Sequence, residues 1–512
     1  MPFEKLLKEL KDRRDKALAM GGPEKIAKRK NEGLLNARER IDYLFDKGSF
    51  VEYGQLATSA RPEMRHKTPA DGKIGGFGTI NGRHAGTIVN DFTVLGASSA
   101  LINSKKIRHV KDIANKRGCP MIYLGESSGS RMPDRMGALG RTIICQDPTE
   151  YRRLREAPWV SALLGACYGS STWYACMSDF CVMRKGATMA VASSRVTSIA
   201  INQPVDKEDL GGWKLLTSVS GLVDYAVDTD EEALDVIKKF LSYLPSNNME
   251  APPTAPVPKG SDEAIKKILD IVPEERSKTY DMKKVIEAIA DIDSVFEIKP
   301  RYGKAVVTAL TRIDGQVVGV IGNNPKFKGG SLDPDACKKI INALVMFDSY
   351  NIPIVMLVDV PGFLIGIEGE RKGAPGHIMN WMNALTLVTV PKINIILRKA
   401  YGQAYINMGG GKNSDENAVW PSADVGFMDP QVGVKVLHGI EKDDDPAEFE
   451  KRAKEIEQDS GAWGLAELYE VHEVLDPRET RQYLIDRLAI HRQRLSGGIG
   501  EHHLRTWPTS FV

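Results

Sequence analysis

The sequence predicts an α/β protein made of two tandem domains related by duplication. Three observations support this prediction: motifs that recur at one constant separation, a proline-rich segment near the middle, and apolar strands that alternate with helical stretches. At 512 residues the chain is long for a single compact domain, and each half is long enough to bury a core of its own.

The recurring motifs lie 233 residues apart. NGRHAGTIVNDFTVLGASS in the first half matches DGQVVGVIGNNPKFKGGS in the second, and CPMIYLGESSG matches IPIVMLVDVPG. Gly82 falls on Gly315 and Gly169 on Gly402, both at a separation of 233 and without a gap in the alignment. Chance matching of common glycines does not keep one offset over such a length, so we infer a duplicated domain.

The segment NNMEAPPTAPVPKGSD, residues 247–262, contains four prolines and little that could pack, which predicts a linker. We therefore expect an N-terminal domain at 1–250 and a C-terminal domain at 251–512. In each copy a strand ends in a glycine turn, a helical stretch follows (NSKKIRHVKDIANKR; DACKKIINALVMFDSY) and another apolar strand comes next. This alternation predicts right-handed crossovers and helices packed on a mostly parallel sheet.

Composition excludes several classes of protein. With 69 basic and 67 acidic residues and no long run of either sign, the chain lacks the charge pattern of a nucleic-acid binder. No apolar run approaches the roughly 20 residues that cross a bilayer, and MPFEKLLKELKDRRDK predicts a charged amphipathic helix, so we expect a cytoplasmic protein. The six cysteines form no C-x-x-C pair, which favours buried free thiols over a zinc site or disulfides: Cys119, Cys145, Cys167, Cys176, Cys181 and Cys337.

The glycine turns are the first candidates for chemistry. After the strand INIILRKAY the chain turns at Gly402, and the N–H groups of Gln403 and Ala404 then lie in the first turn of a helix, where they lack intrahelical partners. The duplication predicts the same arrangement for Ser170 and Ser171. Two such donors form an oxyanion hole, whereas a glycine after a strand is also the residue of an ordinary tight turn. Both interpretations stay open at this point.

Other candidates have simpler explanations. Glu126 and Asp359 end equivalent strands, where a carboxylate is either a general base or, more commonly, a cap or loop anchor. GGFGTING lacks the G-x-G-x-x-G spacing and predicts a hairpin turn. His502 and His503 have no partner at metal-ligand spacing, so we expect a solvated tail there and no bound metal.

Several segments resemble one family: ARERIDYLFDKGSFVE, DFTVLGAS and EDLGGWK in the first half, and GNNPKFKGGSLD, NIPIVMLVDVPGFL, TVPKINIILRKAYGQAY and AVWPSADVGFM in the second. They are similar to the carboxyltransferase subunit of biotin-dependent acyl-CoA carboxylases and decarboxylases, of which propionyl-CoA carboxylase is the best known. The resemblance runs from Leu34 to Arg481. It implies two tandem crotonase-like domains, the first for the acyl-CoA and the second for biotin.

The resemblance also implies the roles of individual residues. The N–H groups of Ser170 and Ser171 would stabilise the thioester enolate, and those of Gln403 and Ala404 the ureido oxygen of biotin. The implied acyl-CoA-binding residues are Ala97, Ser98, Ser127, Ser128, Gly129, Arg131, Gly169, Gly211 and Gly212. The implied biotin-binding residues are Pro361, Gly362, Phe363, Gly402, Tyr405 and Ile406.

In the reaction that the resemblance implies, carboxybiotin releases carbon dioxide and its ureido nitrogen removes the α-proton, so no side-chain base is needed. The chain contains no Met-Lys-Met biotinylation site and no ATP-grasp-like region. We therefore expect biotin on a separate carrier protein, with a biotin carboxylase or a membrane decarboxylase as further partner. Family members usually form hexamers whose active sites lie between the N-domain of one subunit and the C-domain of another.

The chain departs from the family pattern at both turns. Gly-Gly-Ala becomes Gly169-Ser170-Ser171 in the first half and Gly402-Gln403-Ala404 in the second. Asp-Ser-Gly-Gly-Ala-Arg becomes the segment 126–131, ESSGSR, and Gly-Gly-Ala before a lysine becomes 211–213, GGW. Ile406 stands where many propionyl-type members carry an aspartate that helps to set acyl size. Backbone donors survive these changes, but added side chains crowd the site, so we expect an unusual acyl-CoA substrate.

Three alternatives remain. Carboxylase and decarboxylase share one half-reaction, and SYLPSNNMEAPP is somewhat more similar to the decarboxylase and transcarboxylase members. A biotin-independent crotonase-type hydratase, isomerase or thioesterase would need a carboxylate base, for which Glu126 is the candidate. A non-catalytic assembly scaffold would bind acyl-CoA without carboxyl exchange.

Overall fold

The computed structural model describes residues 3–136, 151–458, 460–492, 494 and 498–508. The chain divides into two compact units, the first running up to Asn248 and the second from Met249 to Trp507. No helix in these described ranges is both long enough and apolar enough to span a membrane.

The first unit contains ten described α-helices and eight strands. Its helices are α1 Glu4–Leu18, α2 Pro23–Asn31, α3 Ala37–Leu44, α4 Leu101–Arg117, α5 Met132–Arg135, α6 Ser170–Cys176, α7 Ser194–Ile201, α8 Lys207–Gly211, α9 Trp213–Ser218 and α10 Asp230–Leu241. Its strands are β1 Val51–Tyr53, β2 Lys73–Ile80, β3 Arg83–Asn90, β4 Met121–Ser127, β5 Trp159–Tyr168, β6 Phe180–Arg184, β7 Thr188–Ala190 and β8 Tyr225–Val227.

The second unit, over its described residues, likewise has ten α-helices and eight strands. Its helices are α11 Ile268–Ile271, α12 Met282–Ile289, α13 Pro334–Ser349, α14 Ile367–Arg371, α15 Ala374–Leu387, α16 Gly402–Asn407, α17 Pro430–His438, α18 Pro446–Glu457, α19 Ala462–Glu467 and α20 Thr480–His491. Its strands are β9 Phe296–Ile298, β10 Val306–Ile313, β11 Gln316–Asn323, β12 Ile354–Val360, β13 Lys392–Tyr401, β14 Glu416–Val419, β15 Asp424–Gly426 and β16 Glu473–Val474. Short 3₁₀ turns lie at Pro62–Lys67, Pro69–Gly72, Leu95–Ala97, Ala264–Lys267, Lys328–Gly330, Gly411–Asn413, Pro477–Glu479 and Leu504–Thr506.

Each unit is built on one mixed sheet. The first has the order β1-β2-β3-β4-β5-β6-β8, with β7 also paired to β5, and the second has the order β16-β14-β13-β12-β11-β10-β9, with β15 paired to β13. In both, an antiparallel hairpin leads into parallel strands. The hairpin predicted at GGFGTING is present as β2–β3, with Asn81 and Gly82 in the positive-φ region of its two-residue turn.

The duplication extends to the strand boundaries. Strands β2 to β5 begin at Lys73 and end at Tyr168, and β10 to β13 begin at Val306 and end at Tyr401, so both limits differ by 233. The register irregularity of β4 between Gly125 and Ser127 recurs in β12 between Val358 and Val360. The predicted internal repeat is therefore present in the fold.

In each unit a buried lysine of the helix that follows the hairpin binds backbone carbonyls at the start of the hairpin's first strand. Lys106 on α4 donates from Nζ to the carbonyls of Ala70 and Lys73, at 2.9 and 2.5 Å. Lys339 on α13 donates in the same way to the carbonyls of Tyr302 and Val306, at 3.1 and 2.8 Å. An ammonium needs several acceptors when it leaves water, and strand ends supply free carbonyls, so this brace ties the crossover helix to its sheet.

Strands β4 and β12 are buried along their whole length, as expected for central parallel strands covered on both faces. The first core packs Ile88, Val110, Tyr123 and Trp159 together. The larger core of the second unit includes Trp420. Of the cysteines, those described are free, and Cys145 lies outside the described residues.

The prediction of a solvated tail at His502 was wrong. Its side chain is buried: Nδ1 lies 2.7 Å from the hydroxyl of Thr389 and Nε2 lies 2.6 Å from Oδ1 of Asn351. Asp348 lies beyond Thr389, 3.5 Å from the ring. These partners are more than 100 positions away in the sequence, so local composition carried no sign of them.

Candidate active site

The first candidate turn joins β5 to α6. Gly169 has φ 64° and ψ −122°, a conformation that only glycine adopts without strain. Among the described residues the N–H groups of Ser170 and Ser171 form no hydrogen bond, while those of Thr172 and Trp173 donate to the carbonyl of Gly169. Two peptide donors are therefore left free side by side at the carboxyl end of a parallel strand.

The second candidate turn joins β13 to α16. Gly402 has φ 58°, and a Cβ there would lie 3.0 Å from the carbonyl oxygen of Phe427. Within the described residues the N–H groups of Gln403 and Ala404 also have no protein acceptor. The Gln403 side chain donates to Oδ1 of Asn407 at 2.9 Å, so it lies back along its own helix. The same pair of donors thus occurs once in each unit.

The loop that follows β3 packs against the first turn. Ser99 forms an isolated bridge with Ser130, which follows β4, and its Oγ lies 2.6 Å from Oγ of Ser170. The hydroxyl of Ser127 donates to the carbonyl of Ala97 at 3.1 Å. The fold therefore brings together one set of predicted acyl-CoA residues at this end of the sheet: Ala97, Ser98, Ser127, Ser128, Gly129, Arg131 and Gly169.

Arg131 is buried and fully engaged with protein groups. Its Nη1 lies 2.7 Å from a carboxylate oxygen of Asp71, and its Nη2 donates to the carbonyl of Ser98 at 3.3 Å. Asp134 lies 3.6 Å away. The guanidinium therefore holds the loop in place, and any contact of Arg131 with acyl-CoA would come from its backbone.

The predicted glycines Gly211 and Gly212 end α8 beside β7. A Cβ on Gly211 would lie 2.1 Å from the carbonyl oxygen of Met189, so glycine is required for this close approach. Strand β7 pairs with the last residues of β5, and the Thr172 hydroxyl donates to the carbonyl of Ala190 at 2.8 Å. The glycine pair is thereby held next to the first turn.

The predicted biotin residues gather at the second turn. Val360 pairs with Ala400, so Pro361, Gly362 and Phe363 leave the sheet beside the end of β13. Phe363 forms a bridge with Leu332, the counterpart of the bridge in the first unit.

Tyr405 and Ile406, on α16, complete this group. The Tyr405 hydroxyl accepts the N–H of Gly411 at 2.9 Å, and the tyrosine ring lies against Gly410. Ile406 is 37% exposed.

Glu126 and Asp359 occupy the two strand irregularities and are both bound to arginines. Glu126 accepts from Arg29 at 2.8 and 2.9 Å and from Arg40 at 2.8 Å, and Asp359 accepts from Arg398 at 2.8 Å. Burial alone would raise the pKa of Glu126, but Arg40 and Arg29 outweigh burial and hold that pKa below its ordinary value. Both carboxylates serve as anchors, because neither is free to accept a substrate proton.

Sequence reasoning missed a buried polar chain behind the first turn. Lys73 Nζ donates to Oδ1 of Asn90 at 3.0 Å, and Asn90 Nδ2 donates to the Tyr123 hydroxyl at 3.0 Å. The Tyr123 hydroxyl lies 2.9 Å from Oγ of Ser171. The available signal was a lysine at the start of the mostly apolar strand KIGGFGTI. No group of three or more potential metal ligands occurs in the described ranges.

Comparison with known proteins gives one consistent result. The carboxyl transferase domain family matches residues 28–502. The propionyl-CoA carboxylase carboxyltransferase subunit of Haloferax mediterranei is 35% identical over 498 residues, covering 95% of this chain and 96% of that protein. The methylmalonyl-CoA decarboxylase subunit alpha of Veillonella parvula is 34% identical over 484 residues, with 93% of each chain covered.

A solved structure of a carboxyltransferase is also similar to this chain. The transcarboxylase 12S structure, described as a hexamer assembly with methylmalonyl-coenzyme A and methylmalonic acid bound, superimposes with a TM-score of 0.89 at 30% identity over 98% of each chain. The crotonase-like duplication and the acyl-CoA carboxyltransferase resemblance are thus confirmed, and the chain belongs to the carboxyl transferase family.

Proposed function

We propose that this carboxyltransferase moves a carboxyl group between biotin on a separate carrier protein and the α or vinylogous carbon of an acyl-CoA. The observation that carries the proposal is the occurrence of the same strand, glycine turn and helix in both units, each with two adjacent N–H groups that have no acceptor among the described residues. Such pairs stabilise an oxygen on which negative charge develops.

The two turns have different roles in this proposal. The N–H groups of Ser170 and Ser171 stabilise the thioester enolate, and those of Gln403 and Ala404 bind the ureido oxygen of biotin. When bound, biotin supplies the carboxyl group and the base for the α-proton. The chain itself orients the reactants and stabilises the anion, which agrees with the absence of a free carboxylate at Glu126.

We assign the acyl-CoA side to the N-terminal domain, 1–250, and the biotin side to the C-terminal domain, 251–512. On this assignment the acyl-CoA-binding residues are those of the loops around Ser99 and Gly211, and the biotin-binding residues are those around Pro361 and Tyr405. We further propose a homohexamer that acts with a biotin carrier protein and with a biotin carboxylase or membrane decarboxylase subunit. A relative named as a carboxylase subunit and one named as a decarboxylase subunit match the chain at similar identity. The proposal therefore covers both carboxylation and decarboxylation.

A hydratase or isomerase without biotin is disfavoured by the site. Such an enzyme needs a carboxylate that can take up a proton, and Glu126 is held by two guanidinium groups.

The decisive assay supplies biotin or a biotinylated carrier domain together with a panel of malonyl-, methylmalonyl-, glutaconyl- and longer carboxyacyl-CoAs. Mass spectrometry follows loss of the carboxyl group. Biotin-dependent loss from one thioester is expected. Binding of CoA esters with no loss from any of them would contradict the proposal.

A matched pair of variants tests the first turn. Ser170→Pro removes one peptide N–H at the first position of α6, where proline fits the helix and where Gly169, at φ 64° and ψ −122°, tolerates a following proline. Ser170→Ala keeps that N–H, and both variants lose the contact with Ser99. We expect Ser170→Pro to transfer carboxyl groups about 100-fold more slowly than Ser170→Ala. Equal rates would show that this donor does not act in the reaction.

A further inference from the structure

The first turn is backed by four fully buried polar side chains. Lys73, Asn90, Tyr123 and Ser171 each have 0% exposure. Besides the bonds already given, Lys73 Nζ donates to the carbonyl of Ala97 at 3.2 Å, and Asn90 Nδ2 lies 3.4 Å from Oγ of Ser171. The chain therefore runs without interruption from a lysine in β2 to a residue whose N–H belongs to the proposed enolate site.

The lysine sets the direction of these bonds. An ammonium group only donates, so the Asn90 oxygen must face Lys73 and the Asn90 nitrogen must face Tyr123 and Ser171. Burial raises the pKa of Tyr123, whose hydroxyl thus stays protonated at neutral pH. Along this series of side chains, the ammonium, amide and hydroxyl donors therefore outnumber the acceptors. An excess of donors favours negative charge near Ser171.

The second unit shows that the fold does not need this series of hydrogen-bonded side chains. At the 233-residue offset, Val306, Met356 and Ala404 replace Lys73, Tyr123 and Ser171. The equivalent asparagine, Asn323, instead exchanges hydrogen bonds with the backbone of Asp359. Three apolar positions of one copy have become polar in the other, and they contact one another. Burying a lysine and two hydroxyls costs free energy, so their joint presence requires a reason other than folding.

We propose that Lys73 is a positioning residue for carboxyl transfer, which orients Asn90 and thereby Ser171 and places a buried ammonium behind the N–H pair at the acyl-CoA side. This inference rests on the proposed function and deepens it. The first unit thus has a buried ammonium that stabilises the enolate through hydrogen-bonded side chains, and the second unit has valine at the equivalent position.

The charged and titratable groups that face Lys73 come from four places. Asp71 precedes β2 and Arg131 follows β4, and these two are paired with each other; Lys106 lies on α4, and Cys167 on β5. Burial lowers the pKa of Lys73 to about 7, and Asp71 offsets part of that effect. Since a lowered lysine pKa means that the charge is present below about 7 and lost above it, we expect the rate of transfer to fall as pH rises through 7.

The test is the pH dependence of biotin-dependent decarboxylation in Lys73→Met. Valine at the equivalent position of the second unit indicates that an apolar side chain is tolerated there. We expect kcat to fall about tenfold at pH 6.5, less than for loss of a direct oxyanion donor, with KM for acyl-CoA little changed. The decline of the wild-type rate above pH 7 should be absent in the variant.

Lys339→Met is the matched control, because it also removes a buried lysine, but one that lies in the second unit and donates there to the carbonyls of Tyr302 and Val306. It should keep the wild-type pH profile. Tyr123→Phe removes the shorter of the two links between Asn90 and Ser171 and retains the lysine, so it is the test variant if Lys73→Met does not fold. We expect a lower kcat with an unchanged KM.

Two failures are distinguishable. If the wild type does not decarboxylate any thioester, the proposed function fails. If the wild type is active but Lys73→Met keeps its kcat and its pH profile, or Tyr123→Phe keeps its kcat, only this inference is overturned.

Discussion

Replacing Glu126 by glutamine separates the role of an anchor from that of a general base. The carboxylate accepts three short hydrogen bonds from Arg29 and Arg40 at the irregularity of β4, and its side chain is 5% exposed. Glutamine has nearly the same shape but lacks the charge, and its NH₂ group faces donors. If Glu126 is an anchor, the change lowers stability, whereas a base would lose activity instead.

The structure sets the size of the effect. Breaking a buried ion pair by removing one partner costs about 3–5 kcal/mol. Arg40 keeps Asp230, at 2.9 Å, but within the described residues Glu126 is the only carboxylate that contacts Arg29, whose remaining acceptor is the carbonyl of Leu35. Because one of the two arginines retains a carboxylate, we expect the lower end, about 3 kcal/mol.

Urea unfolding followed by circular dichroism measures this loss. With a slope of about 3 kcal/mol/M, the midpoint of the first unit should fall by about 1 M. Glu32→Gln is the control, because the exposed Glu32 side chain pairs with Lys28 at 3.9 Å and with no other cation among the described residues, so the midpoint should shift little. The pKa of Glu126 is held below its ordinary value of 4.5, so its stabilisation is present above pH 4.5 and is lost as pH falls further. The two proteins should therefore converge in acid.

The activity of the folded variant completes the test. Carboxyl transfer per folded molecule should stay close to that of the wild type, since the proposed chemistry uses no side-chain base. An unchanged urea midpoint together with abolished turnover would refute the anchor role and restore a base at Glu126.

Three further changes test other parts of the second unit. Ile406→Asp introduces the aspartate of many propionyl-type members at a 37% exposed position, so kcat/KM across an acyl-CoA panel should shift towards propionyl or methylmalonyl thioesters; the same ranking as the wild type would contradict a role in acyl choice. His502→Ala removes the buried bond to Asn351 and should cost about 1–3 kcal/mol in urea unfolding, whereas a solvated histidine would cost nothing. Gly410→Ala places a Cβ 2.1 Å from the Tyr405 ring, so binding of a biotinylated carrier, measured by calorimetry, should weaken; unchanged affinity would exclude Tyr405 from that surface.

Much of the fold could be predicted from the sequence because its determinants are local or periodic. The first and last residues of the segment β2 to β5 recur 233 positions later as those of β10 to β13. Equal spacing of apolar residues and glycines produces strands at equivalent positions. Gly169 and Gly402 follow strands and open helices for the same local reason. The two donor pairs were therefore predictable as positions, along with the family.

The tertiary structure alone decided which side chains are engaged behind those positions. Lys73 begins β2 and Ser171 lies in the first turn of α6, and Asn90 and Tyr123 link the two side chains. Glu126 contacts Arg29, which lies nearly a hundred positions away in the sequence. Hydrogen bonds and ion pairs act over about 3 Å, and only the packing of sheet against helix brings such distant residues within that range.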